Sequence, residues 1–301
     1  MIKRTLYFGN PTYLKLKNKQ LSIEVLIKGE NKTTEVSVED IGIMVIDHPQ
    51  ITITSGLIQS LQENNVAIIT CDYRHMPQSL LLPIEGNSIQ QERYEAQLRV
   101  SEPLKKQLWQ QTIIQKIKNQ AAVLNKLKLS SNYLMPLYKN VKSGDTDNCE
   151  ATAAAYYWQT IFKHIIGFSR LTEPDSIPPN NFLNYGYAIL RGTMARSIVC
   201  AGLLPTLGIF HRNRYNAFCL ADDLMEPYRP YIDEIVHKMH TEFGPISDMQ
   251  KEHKAILLKI PAIDVIIDGE KSPLMIATQR TAVSLVKCFE GGQRKLLYPE
   301  I

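Results

Sequence analysis

The hydrophobic spacing of this 301-residue chain changes once, near Pro83 and Gly86, and that change limits the fold more than any other feature. Before it, short β-rich stretches recur at Thr5–Phe8, Tyr13–Lys17, Leu21–Ile27, Val36–Val38, Ile41–Ile46, Ile51–Thr54 and Val66–Cys71. Several alternate apolar and polar residues at period two, the mark of a half-buried strand. Asn18-Lys19-Gln20 supplies a turn, and Ser55–Glu63 reads as a short helix stopped by Asn64-Asn65. After the change, apolar residues fall at helical spacing across Arg93–Leu129, with Pro103 as a boundary. Further helices are predicted over Ala151–Ile166, Asn184–Gly202, Leu220–Phe243, Met249–Leu258 and Pro273–Gly291. The expected fold class is α+β: a small N-terminal β-sandwich over residues 1–85, then a larger all-α domain over residues 86–301.

Composition removes several alternatives. With 44% hydrophobic and 21% charged residues, the chain is neither disordered nor fibrous. The longest apolar run, Ile198–Phe210, is interrupted by Pro205 and falls short of the ~20 residues that span a bilayer. The N-terminal MIKRTLYFGN lacks the apolar core of a secretory signal. Cys71, Cys149, Cys200, Cys219 and Cys288 are odd in number and show no C-x-x-C spacing. That argues against a disulfide framework and for a reducing cytoplasm. The net charge of +4 is unevenly placed: residues 86–142 hold 10 basic and 3 acidic side chains. Such a segment attracts phosphate backbones, although a solvated Lys-rich helix face has the same composition.

Three polar groups stand out in the helical part. Glu150 opens an Ala-rich helix, where a carboxylate also serves simply as a dipole partner. His211 ends the apolar run G-L-L-P-T-L-G-I-F and precedes Arg212 and Arg214; a lone histidine there also reads as a boundary residue. Asp223 and Glu226, three apart in A-D-D-L-M-E-P-Y-R-P, share a helix face, and acids are also common in a first helical turn. Together these groups form a donor set of hard oxygens and one imidazole, suited to Mg²⁺ or Mn²⁺ rather than zinc. A dication beside basic side chains is the outline of a phosphoryl-transfer site. Spacing alone does not bring the three regions together.

The blocks N-F-L-N-Y-G-Y-A-I-L-R (Asn181–Arg191), G-L-L-P-T-L-G-I-F-H (Gly202–His211) and A-D-D-L-M-E-P-Y-R-P (Ala221–Pro230) resemble the universal CRISPR-associated adaptation integrase family. So do Val36–Asp47, Ile69–Pro77 and Trp109–Ala121. The resemblance covers nearly the whole chain and is closest to members from type II systems. It implies a β-sandwich that dimerises and an α-helical catalytic, DNA-binding domain. It also implies a small second CRISPR adaptation protein as partner, and captured double-stranded DNA joined by its 3′-hydroxyl ends to the CRISPR repeat. The family's acid, histidine and acid carry over to Glu150, His211 and Glu226 as ligands of Mg²⁺ or Mn²⁺. Many members have aspartate where this chain has Glu226, which lengthens that arm by one methylene. Asp223 matches a further acid with a supporting role.

The implied reaction is transesterification by a DNA 3′-hydroxyl, or hydrolysis when water replaces it. Arg191, Arg212, Arg214, Lys105, Lys106, Lys116 and Lys118 are expected phosphate contacts, and Tyr185 and Tyr187 either stack on bases or belong to the core. His237 and His240, three apart, are expected with His164 and His253 on a solvated or DNA-facing side rather than as a second metal site. Two other readings are a nuclease selective for branched DNA and a non-catalytic DNA-binding scaffold that needs the basic segment but not the acids.

Overall fold

A computed structural model of the chain describes residues 3–27, 30–173, 176–244 and 248–301. The chain divides into two compact units, Met1–Ser88 and Ile89–Ile301.

The first unit runs β1 (Arg4–Phe8), β2 (Thr12–Lys17), β3 (Gln20–Ile27), β4 (Glu30–Ser37), β5 (Ile41–Ile46), β6 (Ile51–Ile53), α1 (Ser55–Glu63), β7 (Ala67–Cys71) and β8 (Pro77–Leu81). Two four-stranded sheets result, ordered β1-β5-β7-β8 and β4-β3-β2-β6. Asn18 and Lys19 both take positive φ (52° and 62°), which suits the twist of a tight hairpin between β2 and β3. β5 reads I-G-I-M-V-I without alternation because β1 and β7 flank it in parallel and Ile41–Val45 are buried on both faces. α1 starts at the Thr54 cap, whose hydroxyl accepts from the Leu57 amide at 3.4 Å. Leu57 and Leu61 on α1 share one core with Leu14 and Leu21 of one sheet and Ile41, Met44 and Ile68 of the other. The parallel pairings and the helix in this core depart from an all-antiparallel sandwich. β8 escapes sequence reading because P-Q-S-L-L does not alternate, and Pro77 is tolerated at its first position on the sheet edge.

The second unit runs α2 (Gln90–Arg99), α3 (Glu102–Lys126), α4 (Leu134–Asn140), α5 (Cys149–Ile161), α6 (Asn180–Cys200), α7 (Cys219–Met225), α8 (Arg229–Phe243), α9 (Lys251–Leu257), β9 (Asp264–Ile267), β10 (Glu270–Pro273), α10 (Leu274–Phe289) and β11 (Pro299–Glu300). The helix expected over Arg93–Leu129 is therefore two. Ser101 caps α3 by accepting from the Leu104 amide, and Pro103 sits in the first turn, where its missing N–H costs nothing. The expectation of an all-α unit is corrected by a small sheet, β10-β9-β11. Its hairpin turns on Asp268 and Gly269 at φ 54° and 75°, and V-I-I alone is too short to be told from helix by periodicity.

α3 and α6 carry the core of this unit. α3 buries Leu108, Trp109, Ile113, Ile117 and Leu124, and α6 is buried along most of its length. Gly186 on α6 lets α8 approach: a Cβ there would stand 2.7 Å from Ile232 Cγ2. The predicted helix Leu220–Phe243 is interrupted by a 3₁₀ turn at Glu226–Tyr228, placed by Pro227. Asn119 on α3 holds that turn, donating to the Pro227 carbonyl at 2.7 Å and to the Pro299 carbonyl at 2.9 Å. Among the described residues no helix is long and apolar enough to cross a membrane.

Candidate active site

Four separate stretches of the second unit deliver side chains to one place. Glu150 is the second residue of α5. The left-handed backbone at Gly144 (φ 74°) and Asp145 (φ 49°) turns the chain so that the Asp145 carboxylate accepts from the Cys149 and Glu150 amides at 2.9 and 3.0 Å. That caps α5 and fixes where Glu150 emerges. Glu226 leaves the 3₁₀ turn almost fully buried, at 3% exposure. Between the two lies Lys116 of α3, its Nζ 2.6 Å from Glu150 Oε1 and 2.6 Å from Glu226 Oε2. Arg229 pairs with the other oxygen of Glu226 at 3.0 Å.

His211 arrives on the loop before α7. Its Nδ1 lies 2.5 Å from Asp223 Oδ1, and the Asp223 carboxylate also accepts from the Phe210 amide at 2.9 Å and the His211 amide at 3.3 Å. Gly208 makes this closure possible, since a Cβ there would stand 2.5 Å from the His211 carbonyl and 2.7 Å from Asp223 Oδ2. Trp109 stacks on Phe210 with centroids 4.2 Å apart and meets the His211 ring edge-on at 5.4 Å. The Nδ1 partner commits one ring nitrogen and leaves Nε2 free.

The electrostatics follow from this packing. The hydrogen bond to Asp223 raises the pKa of His211; burial opposes it, and the charges of Asp223, Glu226 and Glu150 add to the rise. Burial holds Asp223 above its ordinary value, and its bonds to His211 and to the Phe210 amide offset only part of that rise. Burial would also raise Glu226, but Arg229 and Lys116 outweigh it and hold that carboxyl below its ordinary value. Lys116 loses to burial and gains more from Glu226 and Glu150, so it stays charged.

The donor chemistry fits a hard dication. Glu226 Oε2 is buried with no directed hydrogen bond, although it faces the Lys116 ammonium. Glu150, Glu226 and His211 Nε2 would supply two carboxylates and one neutral imidazole. As the side chains stand, with the two carboxylates closed on Lys116, no three His, Cys, Asp or Glu among the described residues form a ligand group. Asp223 is fully buried and acts through His211.

The expected phosphate contacts divide. A cavity of about 500 Å³ opens beside His211 and is lined by Lys105, Arg212 and Arg214. Arg212 and Lys105 both pair with Glu102, at 2.6 and 3.2 Å. Arg214 lies over the exposed Tyr215 ring at 4.5 Å. Lys106 is exposed, and Lys118 sits over Tyr138 at 5.6 Å. Arg191 is bidentate to Asp222 at 2.7 and 3.1 Å. Two assignments are corrected. Lys116 is an internal ion-pair partner, because α3 turns it toward the carboxylates. Tyr185 is fully buried on α6, out of reach of a base. Tyr187 is buried too, bonded through its hydroxyl to Asp233 between Arg170 and Arg229.

The histidines divide: His164 is exposed, His237 and His240 are half-buried, and only His253 is buried. His164, His237 and His240 cluster, with His164 ring centroids 5.2 and 5.3 Å from the other two. His253 is buried, accepting from the Gln250 amide at the start of α9. Sequence reading missed Asp145, Trp109 and Arg229 as parts of the site. The Gly-Asp pair five residues before Glu150 was the available signal for the first, and Arg229 lies three residues past Glu226.

The family model described as CRISPR associated protein Cas1 matches residues 6–268, and the chain belongs to that family. It is 35% identical over 308 aligned positions to the CRISPR-associated endonuclease Cas1 of Neisseria meningitidis serogroup C (strain 8013), covering 100% of this chain and 97% of that protein. Its fold is similar to a casposase bound to integration product, with a TM-score of 0.80, 21% identity, and 98% of this chain and 92% of that one covered. A Cas6-RT-Cas1–Cas2 complex contains a similar fold, with a TM-score of 0.72 and 17% identity, covering 97% of this chain and 35% of that one.

Proposed function

We propose that the chain is a metal-dependent DNA integrase and endonuclease of CRISPR adaptation. It joins the 3′-hydroxyl ends of captured DNA to the CRISPR array by transesterification. The observation that carries this reading is the pairing of Glu150 and Glu226 on one Lys116 ammonium, with the Asp223-bound His211 near enough to feel both carboxylates. The endonuclease named among its relatives and the casposase bound to integration product support it.

Glu150, Glu226 and His211 Nε2 hold Mg²⁺ or Mn²⁺, which when bound supplies Lewis acidity to the reacting phosphate and hydroxyl. Asp223 keeps the His211 tautomer that presents Nε2. Lys105, Arg212 and Arg214 draw the DNA backbone toward the cavity beside His211. DNA supplies its own nucleophile, so no Ser, Cys or Tyr of the chain is required. The protein's share is to align hydroxyl and phosphate. The N-terminal unit, read as two sheets facing across a shared core, pairs two copies, and a small second adaptation protein joins them. The Cas1–Cas2 complex among the similar structures supports that partner.

Strand-transfer assays on a repeat-containing DNA test the reading. Glu150→Ala and His211→Ala should abolish joining with Mn²⁺ present while DNA binding persists. Normal joining by either variant overturns the site. Cleavage of branched DNA without joining would favour a general nuclease, and dependence on the basic residues alone would favour a scaffold.

A further inference from the structure

We infer that Lys116 is a resident counterion of the metal-free site, holding Glu150 and Glu226 in place until a dication displaces its ammonium. This rests on the metal-dependent reading above and extends it to a competition built into the chain.

Glu150 and Glu226 each come within 2.6 Å of one Nζ, so their carboxylates face each other across a single atom. Two carboxylates at such separation repel, and burial sharpens the repulsion. Arg229 neutralises Glu226 from its far side, and Lys116 compensates the remaining charge. Without Lys116, a metal-free site keeps the half-buried Glu150 carboxylate uncompensated beside Glu226. With Lys116 in its present place, a dication meets an ammonium between its ligands.

The two cations are not equivalent. Arg229 is held by Glu226 and lies over the Tyr187 ring at 5.0 Å. Its planar guanidinium is locked on both counts. Lys116 has a flexible four-carbon stem, and among the described residues its Nζ pairs only with the two carboxylates. Glu226 Oε2 faces it without a directed hydrogen bond, as expected of a charge contact that another cation can replace. Lys116 is thus the cation that can leave.

The consequence is a trade. The metal-free protein gains stability from Lys116, and the metal pays part of its binding energy to displace it. Neutralising position 116 should therefore separate two quantities that usually move together.

The experiment uses the full chain without DNA. Mn²⁺ affinity is measured by titration with EPR detection of free Mn²⁺, and thermal unfolding is followed with and without Mn²⁺. For Lys116→Met, Mn²⁺ should bind about tenfold tighter or better than to the unmodified protein, equivalent to ~1.4 kcal/mol. The metal-free variant should melt at a lower temperature, and the Mn²⁺-induced rise should be larger. Lys139→Gln, which removes the same charge from an exposed position of α4, should change neither quantity. If Lys116→Met does not fold, Lys116→Gln makes the same comparison. Unchanged or weaker Mn²⁺ binding in the folded Lys116 variant overturns the proposal while leaving the metal site standing. Equal tightening by Lys139→Gln also overturns it, because general charge would then explain the effect. Absence of Mn²⁺ binding to both the unmodified protein and the Lys116 variant overturns the metal-dependent reading itself, and this proposal with it.

Discussion

Asp223 grips His211 in two ways at once: one oxygen lies 2.5 Å from Nδ1, and the carboxylate also accepts from the Phe210 and His211 backbone amides. One buried acid therefore sets the ring's tautomer, its orientation and the path of the loop that carries it. Removing the acid should hurt the site without removing a ligand. Asp223→Asn is expected to cost about 10- to 100-fold in Mn²⁺ affinity or strand-transfer rate, the range seen for partners of ligating histidines. Paired metal titration and single-turnover assays check this. A variant indistinguishable from the parent would contradict the role.

Gly208 is the steric condition for that grip. A methyl group there meets a backbone carbonyl at 2.5 Å, and backbone cannot rotate away as a side-chain tip can. Gly208→Ala should destabilise the protein by about 1–3 kcal/mol, the usual cost of overpacking. It should also lower activity by displacing His211. Urea unfolding and strand-transfer assays on the same preparation measure both.

Asp145 acts on Glu150 as Asp223 acts on His211, through backbone amides. Asp145→Ala should cost about 0.5–2 kcal/mol, as for other lost N-terminal caps. Its activity loss should be smaller than that of Glu150→Ala. Chemical denaturation and strand-transfer rates of the two variants provide the comparison.

The histidine cluster makes stability depend on pH. Burial first, and then the charges of His164, His240 and Lys238, depress His237 from 6.5 to about 4. Between those values the unfolded chain takes up a proton that the folded chain refuses. Stability from this site is thus intact above about pH 6.5 and is lost as pH falls toward 4. Asp233, buried and raised to about 7, works in the opposite sense: its contribution declines as pH rises from 3.8 through 7. Comparing His237→Phe with the parent, Asp233 intact in both, isolates the histidine. Its melting temperature should fall less between pH 7.5 and pH 5 than the parent's. An identical fall in both proteins would contradict the assignment.

Local pattern carried much of this chain's organisation, and long-range geometry carried the rest. β2, β3, β5, α1 and α10 are legible because their turns and caps are local: Asn18-Lys19, Thr54, and the Pro273 and Gly291 that bracket α10. The breaks inside long periodic stretches were hidden, since the apolar spacing passes through Val100-Ser101 and through Glu226–Tyr228 with little change. Glu150, His211, Asp223 and Glu226 were visible as residue types in recognisable blocks. Lys116 was not, because a lysine among ten basic residues in its segment gives no sign of pointing inward. Only the rotation of α3 against α5 and the 226–228 turn assigns it to the site. Tyr185 failed for the same reason in reverse: its face of α6 is set by packing on neighbouring helices.

The central claim is that positions 150, 211 and 226 hold one dication. Anomalous diffraction from crystals soaked in Mn²⁺ tests it most directly. A single strong peak is expected within about 2.2 Å of a Glu150 oxygen, a Glu226 oxygen and His211 Nε2, the usual distance for hard-cation ligands. A protein that joins DNA in Mn²⁺ yet shows its manganese away from these three side chains would contradict the account.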